Sequence, residues 1–450
     1  MLAPKTALLL AAIVLQSGSL LGCASHAETT KPVRTALDAG QPERAVQLLS
    51  QQAGVASGKD LPGDLQGDKA LLVLDRATVQ QSLAAFALSQ RDYEAADKAI
   101  DVLDLASGAG DTLATYMFSG SSARYRAPPY EKLLLNTFNL LNYLETGDSS
   151  GARVEARRIA VTQTFFKNAG LGDKSPALPL AGFLAGLAFE SAGEVDEALR
   201  FYDDALSVAS FPALRASAVP LLAGSTYRSP HLAAAAAGFD GPKLGPEEGE
   251  IVVVVGYGRV PFKIAKRVPI GLALTLHASS ISPENRAAAN RLAAQGLVTW
   301  VNYPTLGRDQ GGWEIPRLGV DGYAVRLDEA VDVTGAVQQE WERIEGKIVA
   351  AAITRMITRA AAGAGVGAAA GRNNGVIGVL ASLAVQGVGV ALDVPDTRGW
   401  ETLPARVAVQ RMHVAKGTHR LVFSARGATR EVTVEVKSGE ISVVSFLALR

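Results

Sequence analysis

From residue 31 to about 215 apolar positions recur at helical spacing and are interrupted by short polar or glycine turns, which predicts a series of helix–turn–helix units. The clearest stretch is AGLAFESAGEVDEALRFYDDALSVASFP, residues 185–212, in which Ala198, Tyr202 and Ala205 place small, large and small side chains on one helical face. Weaker copies put turns at Gly40, Arg91 and Gly147, each followed by a small residue (Ala45, Ala96, Ala152), with unequal spacings and an insertion over 107–129. The pattern then changes. Residues 218–250, rich in Gly, Pro and Ala, read as a linker. The β-branched run IVVVV over 251–255 predicts a strand, and 270–276 a second one after the break at Pro261. The intervening GYGRVP reads as a turn or bulge, because it lacks the third glycine, the lysine and the following helix of a phosphate-binding loop. Beyond residue 404, four alternating stretches are separated by Lys416-Gly417, Arg426-Gly427 and Ser438-Gly439, which predicts an antiparallel meander, a small sandwich. The expected fold class is α+β: a helical array over 31–217, the linker, mixed β structure over 251–336, Gly/Ala-rich helices over 337–394 and an antiparallel β domain over 395–450.

The 185–212 unit resembles a tetratricopeptide repeat. In that resemblance Gly186 allows two helices to approach, Phe189 fills the gap between them, Gly193 makes the left-handed turn, and Ala198, Tyr202 and Ala205 pack the second helix. A generic α-hairpin domain is the alternative, in the same fold class. A stack of such hairpins implies a concave protein-binding face.

The start of the chain has its own signal. Lys5 precedes LLLAAIVL (8–15), an apolar run too short to span a bilayer, so residues 1–22 read as a secretory signal. The following Leu20-Leu21-Gly22-Cys23 resembles a bacterial lipobox, which implies diacylglycerol on the Cys23 sulfur, cleavage before it, and acylation such as by palmitate at the new amine. An ordinary signal peptide with an incidental cysteine is the alternative. Ala24, where an aspartate would in enteric bacteria imply inner-membrane retention, favours outer-membrane anchoring with the chain in the periplasm and 23–30 as a tether. Residues 373–392 run without a charge and include Gly375, Gly378, Gly387 and Gly389. They are expected to form a tightly packed helix, with membrane contact or homo-oligomerisation through small residues as the alternative.

Composition narrows the chemistry. With 44 basic and 44 acidic residues, no net field draws the chain to nucleic acid. Cys23 is the only cysteine, which excludes a disulfide framework and a Cys-rich zinc site. Of the five histidines, His413 and His419 are expected on adjacent strands as surface residues, because a metal site would need further ligands. No cofactor is expected. His-Glu-x-x-His and Walker patterns are absent, no strand–turn–helix nucleophile elbow is read, and Glu155, Glu190 and Glu194 are accounted for by exposed helix faces. No catalytic residue is therefore assigned and an envelope hydrolase is the weakest reading.

Three further stretches, YRAPPYEKLLLNTFNLLNYLETGDSSGARVEARR (125–158), GKIVAAAITRMITRAAA and DTRGWETLPARVAVQRMHVAKGTHRLVF (396–423), occur in that order. Together they resemble a group of poorly characterised bacterial lipoproteins with a tetratricopeptide-like front half and a C-terminal β domain, over roughly residues 70–450. The resemblance brings no catalytic residues. In its most specific part, Asp396, Arg398, Trp400 and Pro404 are expected to lock the helical segment onto the β domain. The function expected is a lipid-anchored envelope scaffold or adaptor that binds other envelope proteins. A membrane-associated component of a secretion or export assembly is the alternative.

Overall fold

Four helical hairpins open the structure, a computed structural model that describes residues 25–102, 125–168, 175–294, 300–310, 314–370 and 395–450. They are α1 (His26–Asp38) with α2 (Pro42–Gln52), α3 (Lys69–Ser82) with α4 (Phe86–Ala99), α5 (Pro129–Glu145) with α6 (Ser149–Asn168), and α7 (Leu178–Glu190) with α8 (Val195–Leu206). A short parallel pair, β1 (Asp101–Val102) and β2 (Arg126–Ala127), lies between the second and third hairpins. The hairpins turn through left-handed residues at Gly40, Ala84, Gly147 and Gly193. The second turn therefore belongs to Ala84 and not to Arg91, which lies inside α4. Sequence gave no cue there, because alanine has no turn signature and adopts the left-handed conformation only under tertiary constraint.

The array starts earlier and ends later than the pattern implied. Residues 26–30 are the first turns of α1, so they are not part of a tether. The stretch 218–250 is largely structured: it holds the end of α9 (Pro212–Leu221), all of α10 (Pro230–Ala236) and the start of the first long strand. In α10 the Ser229 hydroxyl caps the Leu232 N–H and Pro230 occupies the first turn, a start signal that the flanking glycines obscured.

Strand β3 (Glu248–Tyr257) explains why IVVVV is continuous. Ile251, Val253 and Val255 face a sandwich core, while Val252 and Val254 face the helices, so both sides of the strand are buried. β4 (Lys263–Pro269) leads directly into α11 (Ile270–Leu276), which is a helix where a strand was expected. Leucine is its commonest residue and Pro269 stands just before its start, and an apolar run this short is ambiguous by periodicity alone. α12 (Pro283–Ala294) and β5 (Trp300–Leu306) follow, β5 antiparallel to β4. The chain continues through β6 (Arg317–Val320), β7 (Tyr323–Val325), β8 (Asp328–Asp332) and the long α13 (Val333–Ala370).

The last four strands, β9 (Arg406–Ala415), β10 (Gly417–Ala425), β11 (Ala428–Val436) and β12 (Ile441–Ala448), do not form a separate meander. They divide between two sheets ordered β12-β3-β9-β8 and β11-β10-β6-β7, and β12 runs parallel to β3. At Gly417 (φ 135°) the chain crosses from one sheet to the other instead of folding back as a hairpin. The sandwich is therefore built from 248–257, 317–332 and 406–448, and the expected boundary at 395 does not divide the fold. The class is α+β, as the alternation of patterns implied.

The β12-β3-β9-β8 sheet lies on the helical array. α3 and α5 pack on β12, α7 on β8 and α9 on β9. Accordingly α7 is buried at every position from Leu178 to Phe189, whereas α2 and α4 bury only one stripe. A helix apolar on all sides requires cover on all sides. The face made by α3, α5 and α7, the first helices of the second to fourth hairpins, is thus occupied by the protein's own sheet and is not an open concave surface. A separate small core joins β4, β5, α11 and α12 to α13 through Val268, Leu274, Val301, Tyr303, Trp341 and Ile348.

Candidate functional site

Residues 395–405 form an irregular strap between the helical array and the sheet. Trp400 is 2% exposed; its indole Nε1–H donates to Thr78 Oγ1 at 2.9 Å and its backbone N–H to Glu131 Oε1 at 3.2 Å. Its ring meets Tyr93 and Phe138 edge-on, with centroids 6.0 and 6.1 Å away. Both helices of the second hairpin, α3 and α4, and α5 of the third thus close around a single indole. Thr402 donates to Asp75 Oδ1 through both its N–H (2.9 Å) and its hydroxyl (2.8 Å), and Glu401 accepts from Arg34. Asp396 holds Arg398 through a fork of contacts between 2.6 and 3.0 Å, and Arg398 also faces Asp68 at 3.6 Å. Thr397 Oγ1 accepts from the Ala27 N–H, and the Arg398 carbonyl accepts from Lys263 Nζ. Pro404 lies against Gly256, where a Cβ would come within 2.9 Å of its ring. Asp396, Arg398, Trp400 and Pro404 therefore join the front hairpins to the sandwich. Their described contacts reach α3, α4, α5, β3 and Lys263 at the start of β4, while residues 371–394 of the Gly/Ala-rich segment lie outside the described residues.

The repeat-packing residues meet at α7 and α8. A Cβ at Gly186 would lie 2.3 Å from the Tyr202 ring, so the two helices approach only because that position has no side chain. Phe189 stacks on Phe201 at 5.4 Å, Ala198 and Ala205 are fully buried, and Gly193 has φ 76°. Tyr202 donates to Glu190 Oε2 at 2.6 Å. Glu190 is not accounted for by exposure: it shares Arg411 of β9 with Glu250 of β3, through Nη2 at 2.7 and 2.6 Å respectively. Glu155 is likewise buried, accepting from Asn136, Asn139 and Arg158, while Glu194 pairs with Arg153 at the surface. A reading by helical face missed these two because the face that looked polar is turned toward another element.

His413 and His419 lie in different sheets. His413 Nε2 sits 3.2 Å from Glu250, and His419 bridges Asp321 and the Ala415 carbonyl. Among the described residues no group of three His, Cys, Asp or Glu could hold a metal ion, and no helix is long and apolar enough to cross a membrane. Cys23 and the uncharged run 373–392 lie outside the described residues. Comparison with protein-family models, curated proteins and solved structures finds no match.

Burial sets the charge state of the strap's surroundings. Desolvation pushes Asp75 up to about 7, reinforced by Glu401 and opposed by His26 and Thr402. Burial raises Glu131 as well, and it takes Glu145, whose carboxylate accepts the Ser445 N–H, to about 7. Glu340 rises to about 8, by burial and by the charge of Glu131. A carboxyl that ionises less readily when folded stabilises the fold below its unfolded value, and this contribution is lost as pH rises through the folded value. Stability should therefore fall between about pH 4 and pH 7 on account of Asp75, at up to about 1.4 kcal/mol per pH unit. Thermal melts across that window should show the decline, and Asp75→Asn should flatten it; an unchanged slope in the variant would remove Asp75 as its source.

These acids were missed at the level of sequence, although a signal existed. Asp75 and Arg76 interrupt KALLVLDRATV, and Glu131 opens PYEKLLL, both in helices whose neighbours are otherwise buried. A charge at a core position of such a helix marks a buried partner.

Proposed function

We propose that the protein is a lipid-anchored scaffold or adaptor of the bacterial cell envelope, tethered through Cys23 and held in the periplasm at the outer membrane. Its tetratricopeptide-like hairpins would recruit other envelope proteins. The reading is supported by the small–large–small packing of Ala198, Tyr202 and Ala205 against Gly186. Because the faces of α3, α5 and α7 are covered by the sheet, recruitment falls to the second helices.

The observation that carries the assignment is on α6. Val154 and Val161 are 45% and 69% exposed and stand two turns apart on one side of that helix. Exposed β-branched side chains aligned on a helix of a well-packed array suit the apolar face of a partner segment. A photo-crosslinking amino acid at Val154, activated in intact cells, should yield discrete adducts that disappear in a Val161→Glu background. The same group at Tyr323, which is 79% exposed on β7, should not form them. Identical adducts at both positions, or none at Val154, would refute recruitment through this helix.

A further inference from the structure

The module made by β4, β5, α11 and α12 differs in charge from the rest of the chain. From Lys263 to Leu306 the sequence holds five bases (Lys263, Lys266, Arg267, Arg286, Arg291) and one acid, Glu284, within a chain whose totals are equal. It also exposes large apolar side chains. Leu272 and Leu276, one turn apart on α11, are 47% and 60% exposed, and Trp300 on β5 is 45% exposed. Pro269, which leads into α11, pairs directly with Trp300, so the helix start and the indole are neighbours. The Arg267 guanidinium lies over the Trp300 ring at 5.3 Å. Four successive residues of β4, from Ile264 to Arg267, are exposed. A tryptophan and two leucines flanked by Lys and Arg form the combination that settles at a bilayer interface, where the ring occupies the headgroup level and the cations meet anionic lipid.

The position of the module relative to the start of the chain supplies the second argument. Only three residue steps separate Cys23 from His26, the first residue of α1, which is at most about 11 Å of extended chain. Ala27 in the first turn of α1 bonds Thr397, and the next strap residue, Arg398, accepts from Lys263, the first residue of β4. Further along α1, Arg34 lies over Phe262 at 4.0 Å. The basic module therefore grows out of the same pole of the fold from which a lipid on Cys23 would emerge.

We infer that Leu272, Leu276 and Trp300, with Lys266 and Arg267, form a second contact with the membrane, in which this face rests on the anionic surface of the bilayer that holds the anchor. The inference builds on the lipid anchoring proposed above. Two contacts fix the orientation of the array above the membrane, whereas a single acylated cysteine would let it swivel. They would also leave α6 in a defined position for a partner.

The test uses the full, processed chain in vesicles of phosphatidylethanolamine with a minority of phosphatidylglycerol. If Cys23 is acylated, Leu276→Cys supplies the single free thiol, and an environment-sensitive fluorophore can be attached there or, as a control, at Tyr323→Cys. Nitroxide on the lipid chains should quench the fluorophore at position 276 about threefold more than at position 323, because an interfacial face sits about 5–10 Å into the headgroup boundary. Lys266→Glu with Arg267→Glu, or vesicles of phosphatidylcholine alone, should reduce quenching at 276 to the control level. Equal quenching at the two positions would overturn the membrane face. Fluorophore uptake by the otherwise unaltered chain would show a free Cys23 thiol and would remove the anchor separately. In that event the contrast between 276 and 323 in a Cys23→Ser background, with vesicles added, still decides the membrane face.

Discussion

Trp400→Ala is expected to destabilise the protein by about 3–5 kcal/mol, the range for truncating a large buried aromatic. The indole lies between Thr78 and Tyr93 of one hairpin and Glu131 and Phe138 of the next, so its removal opens a cavity where three helices converge. It also weakens the placement of Glu401 and Thr402, whose partners are Arg34 and Asp75. Denaturant titration of the full chain measures the loss. Trp400→Phe keeps most of the edge-on contacts and gives up the Nε1–H bond to Thr78, so it should cost about 1 kcal/mol plus a smaller packing term. If Trp400→Ala costs under about 1 kcal/mol, as an ordinary surface change would, the strap does not hold the hairpins to the sandwich.

What was legible in the sequence was local. Gly40, Gly147 and Gly193 announced three of the four hairpin turns, since each needs a left-handed residue, and Ala84 hid the fourth. The β-branched run at 251–255 announced a strand with both faces buried. Its partners were not legible, because β3 pairs with β9 and β12, more than 140 residues away, and no local pattern encodes such a pairing. The same distance obscured the strap. Its Asp-Thr-Arg-Gly-Trp stretch stood out, yet Trp400 bonds a residue 322 positions earlier, so its docking onto α3 could not be read from its own neighbourhood. The reading of Glu190 failed for a related reason. Glu190 looked like a solvated charge on its own helix, and only the packing of α7 and α9 against the sheet pairs it with Arg411.

That ion pair is the second place where a single substitution should have a large effect. Arg411 is the cation between Glu190 and Glu250, whose side chains are only 10% and 11% exposed, and its Nη1 also donates to Ser217 Oγ at 2.6 Å. It thereby links α7, α9 and β3. Arg411→Ala would leave two buried carboxylates facing each other, with Tyr202 and His413 as the remaining polar neighbours. Removing one member of a buried charge group costs about 3–5 kcal/mol, mainly because the partners stay desolvated and unpaired. Arg411→Lys should recover only part of the loss, because one ammonium cannot present the two parallel donor edges that the guanidinium offers to Glu190 and Glu250. Combining Arg411→Met with Glu190→Gln and Glu250→Gln removes every charge and should restore much of the stability, since an uncharged replacement of similar volume avoids the desolvation cost. Thermal melts of the four proteins separate these outcomes. A loss under about 1 kcal/mol in Arg411→Ala, the size of an ordinary surface change, would mean that the sheet is held on the hairpins by apolar packing alone.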